Sequence, residues 1–343
     1  LVCLLTLGLL VLLAFLFSCS SSTDPAPPAD NAGIKAPHLF PAVPIPADNP
    51  ATVAKIELGR RLFYEPRLSL DGTVSCASCH KQEFAFTDAG FPMSRGVGRE
   101  VGVRNTPTIV NTAYLHSLSM DGRATSLEEQ SLRAILNPIE MRADTAVISH
   151  ILQPDSLYAS LFAANFDDIQ PSTGHNPVRA IATFMRAVLS GNSRYDRFVL
   201  GEKTALSESE QRGKTLFFSE RTRCASCHKE PEFTDGKFHN TGLSMHYFDK
   251  GRYYATYRDS DVGKFKTPSL RNIAVTAPYM HDGSVSTLEE LLEHYNKGGM
   301  PNLNRDTLMR PLLLTKQEKT DLLDFLHALT DEQMLNNPAF AKP

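Results

Sequence analysis

The chain has 343 residues, 42% hydrophobic and 21% charged, with a formal net charge of -3. These values fit an ordinary globular protein with room for two domains, each with its own core. No block of lysine and arginine gathers anywhere in it, which excludes nucleic acid as a partner.

Residues 1–17 form an almost unbroken apolar run ending in Leu16-Phe17-Ser18-Cys19, followed by a stretch rich in serine and proline. That order predicts a lipoprotein-type export signal over 1–18, with Cys19 lipidated, a periplasmic address and a lipid anchor in the membrane. A transmembrane anchor is the competing reading, for which the run is short. Residues 19–50, with many Pro, Asp and Ala, predict a flexible tether.

Cys76-Ala77-Ser78-Cys79-His80-Lys81 and Cys224-Ala225-Ser226-Cys227-His228-Lys229 are two copies of one hexapeptide. Each contains Cys-x-x-Cys-His, in which two thiolates add to the vinyl groups of haem and the adjacent imidazole faces the iron. Cys76, Cys79 and His80 therefore predict one covalent c-type haem, and Cys224, Cys227 and His228 a second. Zinc ribbons also use Cys-x-x-Cys pairs, but those lie about 15–20 residues apart.

The repetition extends beyond the hexapeptides. Gly59-Arg60-Arg61-Leu62-Phe63-Tyr64 and Gly213-Lys214-Thr215-Leu216-Phe217-Phe218 sit upstream in matching amphipathic patterns. Downstream, Thr106 to Glu129 aligns without a gap onto Thr267 to Glu290, pairing Asn111 with Asn272 and Asp121 with Asp282. Duplication predicts two tandem cytochrome c-like haem domains, 51–195 and 196–343. Strand signals are sparse, and helical patterns run over 178–189, 288–295 and 316–329. An all-α fold with long haem-wrapping loops follows.

Together, Arg104-Asn105-Thr106-Pro107, Asp121-Gly122-Arg123, Gly263-Lys264-Phe265-Lys266-Thr267-Pro268-Ser269-Leu270-Arg271-Asn272 and Ala277-Pro278-Tyr279-Met280-His281-Asp282-Gly283 resemble the bacterial di-haem cytochrome c peroxidase and MauG family, from about residue 50 onward. The resemblance implies an enzyme that reduces hydrogen peroxide or uses it to oxidise a protein. His80 would be the proximal ligand of the peroxidatic haem and His228 that of the electron-transfer haem. Implied partners are a small periplasmic cytochrome c or copper protein as electron donor, or a protein substrate; a homodimer is compatible.

Glu128 lies where the resemblance places the distal glutamate. Moving a proton from the inner to the departing peroxide oxygen is worth roughly 10²–10⁴ in rate. The residues alone allow a second reading: Ser126-Leu127-Glu128-Glu129 is also a helix start, with a Ser126/Glu129 capping box and Glu128 favoured by the macrodipole. Glu289 is its duplicate and internal control. The loop over 91–103 contains no histidine, which implies a first iron five-coordinate at rest; Met93 and His116 are the alternative ligands.

For the second haem, family members place a methionine or a tyrosine on the helix after the Asp-Gly segment, and Tyr295 occupies the tyrosine position. Met280 and Met300 compete for that role, and Tyr295 would equally close a helix ended by Gly298. The resemblance also implies a calcium ion between the domains, with Asn105, Thr276 and Pro278 as oxygen donors. Two features depart from the family. The chain has no tryptophan, leaving Tyr114 or another aromatic between the haems, and the companion glutamine's place falls near Leu118. Tyr247, Tyr253, Tyr254 and Tyr257 form either a hopping route or a packed loop. Three functions stand: a peroxidase with MauG-like ligation, a MauG-like oxidant of a partner protein, and a plain di-haem electron carrier or redox sensor.

Overall fold

The computed structural model describes residues 33–168, 170, 172 and 175–343, without the side chains of residues 145 and 147. The export segment and Cys19 lie outside the described residues. The helices are α1 (Val53–Phe63), α2 (Cys76–Cys79), α3 (Leu127–Leu136), α4 (Thr145–Leu152), α5 (Ser156–Ala163), α6 (Asn176–Ala187), α7 (Arg194–Val199), α8 (Glu208–Phe217), α9 (Cys224–Cys227), α10 (Tyr253–Thr256), α11 (Leu288–Lys297), α12 (Lys316–His327) and α13 (Glu332–Leu335). Two short strands, β1 (Phe238–His239) and β2 (Phe265–Lys266), pair antiparallel with Phe238 opposite Lys266. Among the described residues no helix is long and apolar enough to cross a membrane.

Duplication is visible atom by atom. Helix α1 crosses α6 at Gly59, where a Cβ would lie 2.0 Å from the Ala180 carbonyl oxygen; α8 crosses α12 at Gly213, where it would lie 1.9 Å from that of Asp321. Only glycine lets the two backbones approach so closely. Asn111 and Asn272, at φ 59° and 61°, each receive a backbone N–H on the side-chain oxygen, from Ser190 at 2.8 Å and Asp331 at 2.7 Å. Helices α3 and α11 start alike, with Ser126 and Thr287 accepting from the N–H of Glu129 and Glu290.

One core gathers Leu58, Leu62, Phe63, Phe86, Ile181 and Phe184, and a second gathers Phe217, Phe233, Leu288, Leu322 and Phe325. The chain's end does not stay with its neighbours: Met334, Leu335 and Phe340 pack into the first core. The segment read as a tether is packed from Gly33 onward, with Ile34, Phe40, Val43 and Asn49 buried. Its Pro and Ala content resembles a linker, but the apolar residues between them close over Tyr114, Ala187 and Leu189.

The two cores meet where residues 117–122 face 249–266. Arg104 holds Asp249 through Nε and Nη2 at 2.6 and 2.9 Å and Asp121 through Nη1 at 2.7 Å. Arg252 donates to the Asp121 carbonyl at 2.8 Å, and the Lys266 N–H to that of Met120 at 2.7 Å. Lys266 Nζ donates to the Ser117 carbonyl at 2.8 Å, and burial pushes this amine down to about 8 against the opposing pull of Asp121.

Candidate active site

Each hexapeptide forms one helical turn, α2 or α9, so its two cysteines stand three residues apart on one face. The four thiols form no disulfide. The next residue leaves the helix and turns its imidazole inward. His80 Nδ1 donates to the Phe86 carbonyl at 2.8 Å and His228 Nδ1 to that of Phe233 at 3.0 Å. Each ring is thereby fixed with Nε2 free as the ligand atom, and burial lowers both imidazoles below their usual value, favouring the neutral form a metal needs. Phe86 and Phe233 are fully buried and adopt left-handed backbone conformations, φ 59° and 53°. The residues present fit two c-type haems, one per hexapeptide.

Glu128 stands at the start of α3, but its carboxylate is occupied. Arg186 on α6 donates to both oxygens at 2.7 and 2.8 Å, and Asn49 Nδ2 to Oε1 at 2.7 Å. Burial pushes the carboxyl up, yet Arg186 and Asn49 outweigh it and hold it below the ordinary carboxylate range. A carboxylate whose charge is held by Arg186 and Asn49 is poorly suited to passing a proton. Its duplicate Glu289 is exposed at the start of α11. Both glutamates sit at helix starts, and Glu128 in addition ties α3 to α6.

Another carboxylate has the properties that the reaction needs. Glu140 lies in the turn after α3, its backbone fixed by Val97 N–H on its carbonyl at 2.8 Å and by its own N–H on Asn137 O at 3.0 Å. Asn137 Nδ2 donates to Oε1 at 2.6 Å, and Oε2 is free of hydrogen bonds to described residues. The Glu140 side chain is exposed, yet desolvation by the surrounding chain raises its carboxyl above the usual range, with Asn137 and Arg123 pulling the other way. Its charge bears on both haem cysteines, Cys76 and Cys79. The signal for it was in the duplication. Carrying the same offset eleven residues beyond Glu129 sets Glu140 opposite Pro301, so this acid belongs to one half alone, whereas Glu128 recurs as Glu289.

Tyr295 lies on α11 against the second core, close enough to Cys224 and Cys227 that their charge adds to burial in raising its phenol. Its hydroxyl makes no hydrogen bond to a described residue. The same offset puts Ala134 of α3 at the corresponding place by the first haem. Met280 sits in a left-handed turn, φ 71°, closed by the Gly283 N–H on its carbonyl, and Met300 is half exposed on a surface loop.

Asn105 donates its side-chain amide to Pro92 O at 3.1 Å and its N–H to His281 O at 2.8 Å. Its Oδ1 and the carbonyls of Thr276 and Pro278 accept no hydrogen bond from a described residue. Tyr114 donates its hydroxyl to Pro41 O at 3.1 Å, with its ring against Phe40. Of the four clustered tyrosines, Tyr253 lies 6.0 Å ring to ring from both Tyr254 and Tyr257, while Tyr247 sits apart beside His281. Cys227, Asp235 and His239 also bring donor atoms within 4.8 Å. With that thiol in haem attachment, His239 is left between Asp306 at 2.6 Å and Asp235 at 3.1 Å.

Residues 53–204 match the family described as di-haem cytochrome c peroxidase, and 264–298 match one described as RoxA-like, cytochrome c-like. The chain is 36% identical over 315 residues to the methylamine utilization protein MauG of Methylorubrum extorquens, covering 91% of this chain and 89% of the relative. It is 33% identical over 307 residues to the cytochrome c551 peroxidase of Nitrosomonas europaea, covering 88% and 87%. Among solved structures, a MauG-like protein associated with microbial copper homeostasis superposes with a TM-score of 0.86 at 39% identity, covering 90% of this chain and 98% of that one.

Proposed function

Because the chain belongs to the di-haem cytochrome c peroxidase family, with two c-type haems and an oxidoreductase activity on peroxide, we propose that it reduces hydrogen peroxide with electrons from a small redox protein, Glu140 carrying the proton at the first haem and Tyr295 ligating the second. The observation that carries this reading is the asymmetry between two otherwise duplicated sites. By the shared offset, the first haem side has Ala134 where the second has Tyr295, and Glu140 where the second has Pro301. One side is left open beside an acid, the other is supplied with an oxygen donor.

Held by Cys76, Cys79 and His80, the first haem would supply the iron that takes up and reduces peroxide. Glu140 Oε2 then takes the proton from the inner peroxide oxygen and returns it to the departing one, while Asn137 holds Oε1 still. Desolvation raises the carboxyl, which eases proton uptake at the unbonded Oε2. Glu128 serves instead as the anchor of Arg186. At the second haem, the Tyr295 oxygen as a ligand would favour the ferric state over the ferrous one. That preference supports the second reading, peroxide-dependent oxidation of a partner protein. Export as a lipoprotein through Cys19, a periplasmic donor and a calcium ion at Asn105, Thr276 and Pro278 complete the proposal, the first two supported by the sequence and the last by the free oxygens.

Low-temperature electron paramagnetic resonance of the ferric holoprotein, alongside Tyr295→Phe, tests the ligation. The expected result is a high-spin signal from the first haem and a low-spin signal that the substitution changes. Two low-spin signals indifferent to Tyr295 would overturn it. Turnover of peroxide with reduced cytochrome c separates the peroxidase from the protein-oxidising reading.

A further inference from the structure

Among the described residues one buried side-chain atom has no hydrogen-bond partner, Oε1 of Glu232. Its backbone belongs to the second haem's framework. Ser269 Oγ donates to the Glu232 carbonyl at 2.6 Å, and the next residue, Phe233, accepts from His228 Nδ1 at 3.0 Å. The first site is built the same way: Thr108 Oγ1 donates to the Ala85 carbonyl at 2.6 Å, and Phe86 accepts from His80 at 2.8 Å. Ala85 therefore fills the position that Glu232 fills in the second site, so this framework does not need a carboxyl there.

The charges around Glu232 do not neutralise it. Arg271 faces it, but gives Nη1 and Nη2 to Asp196 at 2.8 and 2.9 Å and Nε to the Pro231 carbonyl at 2.8 Å. Its guanidinium is stacked over Phe40 at 4.8 Å and lies 5.6 Å from the Phe233 ring. Asp196 on α7 turns a second negative charge toward the site, and Tyr114, reaching across from the first core, feels the Glu232 charge. Asn111 offers a hydrogen bond, while Glu230 is taken by the Tyr195 hydroxyl. An ionised Glu232 is thus a surplus anion in a site whose one cation is already paired, and such a group is stabilised by a proton. Burial, first, and Asp196 push its carboxyl up to about 7, against Arg271 and Asn111.

We propose that Glu232 is a redox-linked proton site of the second haem. When the ferric iron gains one electron from the external donor, the Glu232 carboxylate binds one proton from solvent and becomes the neutral acid; when the electron moves on, that proton is released. The added electron makes the site more negative, and in a poorly polarisable interior it repels the unpaired carboxylate. Electron and proton together leave the net charge unchanged. The inference requires the two haems and is independent of the roles given to Glu140 and Tyr295.

The test is a spectroelectrochemical titration of the second haem in the holoprotein at pH values on both sides of neutrality. The wild-type midpoint potential is expected to fall as pH rises, with a slope approaching one proton per electron, and to become flat over the same range in Glu232→Gln. The same slope in the variant, which would assign the proton to Tyr295 or a haem propionate, overturns the proposal. Should the variant not load both haems, the reduced-minus-oxidised infrared spectrum of wild type with isotope-labelled glutamate decides. A protonated carboxylic acid band that carries the label and shifts in deuterium oxide supports Glu232, and its absence overturns it.

Discussion

Two glutamates twelve residues apart, Glu128 and Glu140, differ in the chemistry their neighbours permit. Glu128 has both oxygens on Arg186, which is only 4% exposed. Glu140 has one oxygen on a neutral amide and the other free. Removing the ionisable group from each therefore has opposite consequences. Glu140→Gln is expected to lower the rate of peroxide consumption by roughly 10²–10⁴, the usual worth of a positioned acid–base group, with the melting temperature nearly unchanged. Glu128→Gln removes the charge that compensates Arg186 and is expected to cost about 1–3 kcal/mol of stability, with much of the peroxide reactivity retained. Stopped-flow haem spectra and thermal melts of both variants check this; a dead Glu128→Gln with normal stability would restore Glu128 as the proton carrier. The acid limb gives the sign independently. The folded carboxyl of Glu128 lies below its unfolded value, so its stabilisation is present above the unfolded value and is lost as pH falls through the folded one.

At the scale of elements, the duplication fixes where backbones must touch. Gly59 and Gly213 sit inside α1 and α8, where alanine alone would favour the helix by about 1 kcal/mol. The crossing reverses that sign, since a Cβ at Gly213 would lie 1.9 Å from one backbone atom of α12 and 2.5 Å from the next. Gly213→Ala is expected to destabilise the holoprotein by about 1–3 kcal/mol, the range for an overpacked core; a melting temperature equal to or above wild type would show that α12 moves aside freely. Three of these elements were legible in the sequence because helical periodicity marked them: the patterns over 178–189, 288–295 and 316–329 became α6, α11 and α12. The two Cys-x-x-Cys-His segments stood out because the hexapeptide is repeated, and each folds into the same helical turn. The proposed proton carrier was not legible, because Glu128 satisfies a helix-start pattern and lies in the repeated block. Glu140 lies beyond it, in a turn whose relation to Cys76 and Cys79 only the folded chain displays.

For the whole molecule, the segment over 33–50 shows how composition misleads when a few side chains decide. Pro and Ala dominate it, yet Phe40 is only 9% exposed. Its ring lies 5.3 Å from Tyr114 of the first core and 4.8 Å from the Arg271 guanidinium beside the second. Pro37 fills the space over Gly191, in the linker between them. Asn49 continues the strap to Glu128. One stretch of chain thus touches the first core's side, the linker and the Arg271 guanidinium that faces Glu232. Because the ring contacts both cores, Phe40→Ala should do more than remove apolar area. The expected loss is about 3 kcal/mol, the low end for a buried phenylalanine, together with new proteolytic cleavage within 33–50 while the rest of the chain stays resistant. An unchanged melting temperature and a strap cut as fast in wild type as in the variant would mean that the segment is held by its prolines and Asn49 alone, and that the aromatic bridge contributes nothing to keeping the two cores together.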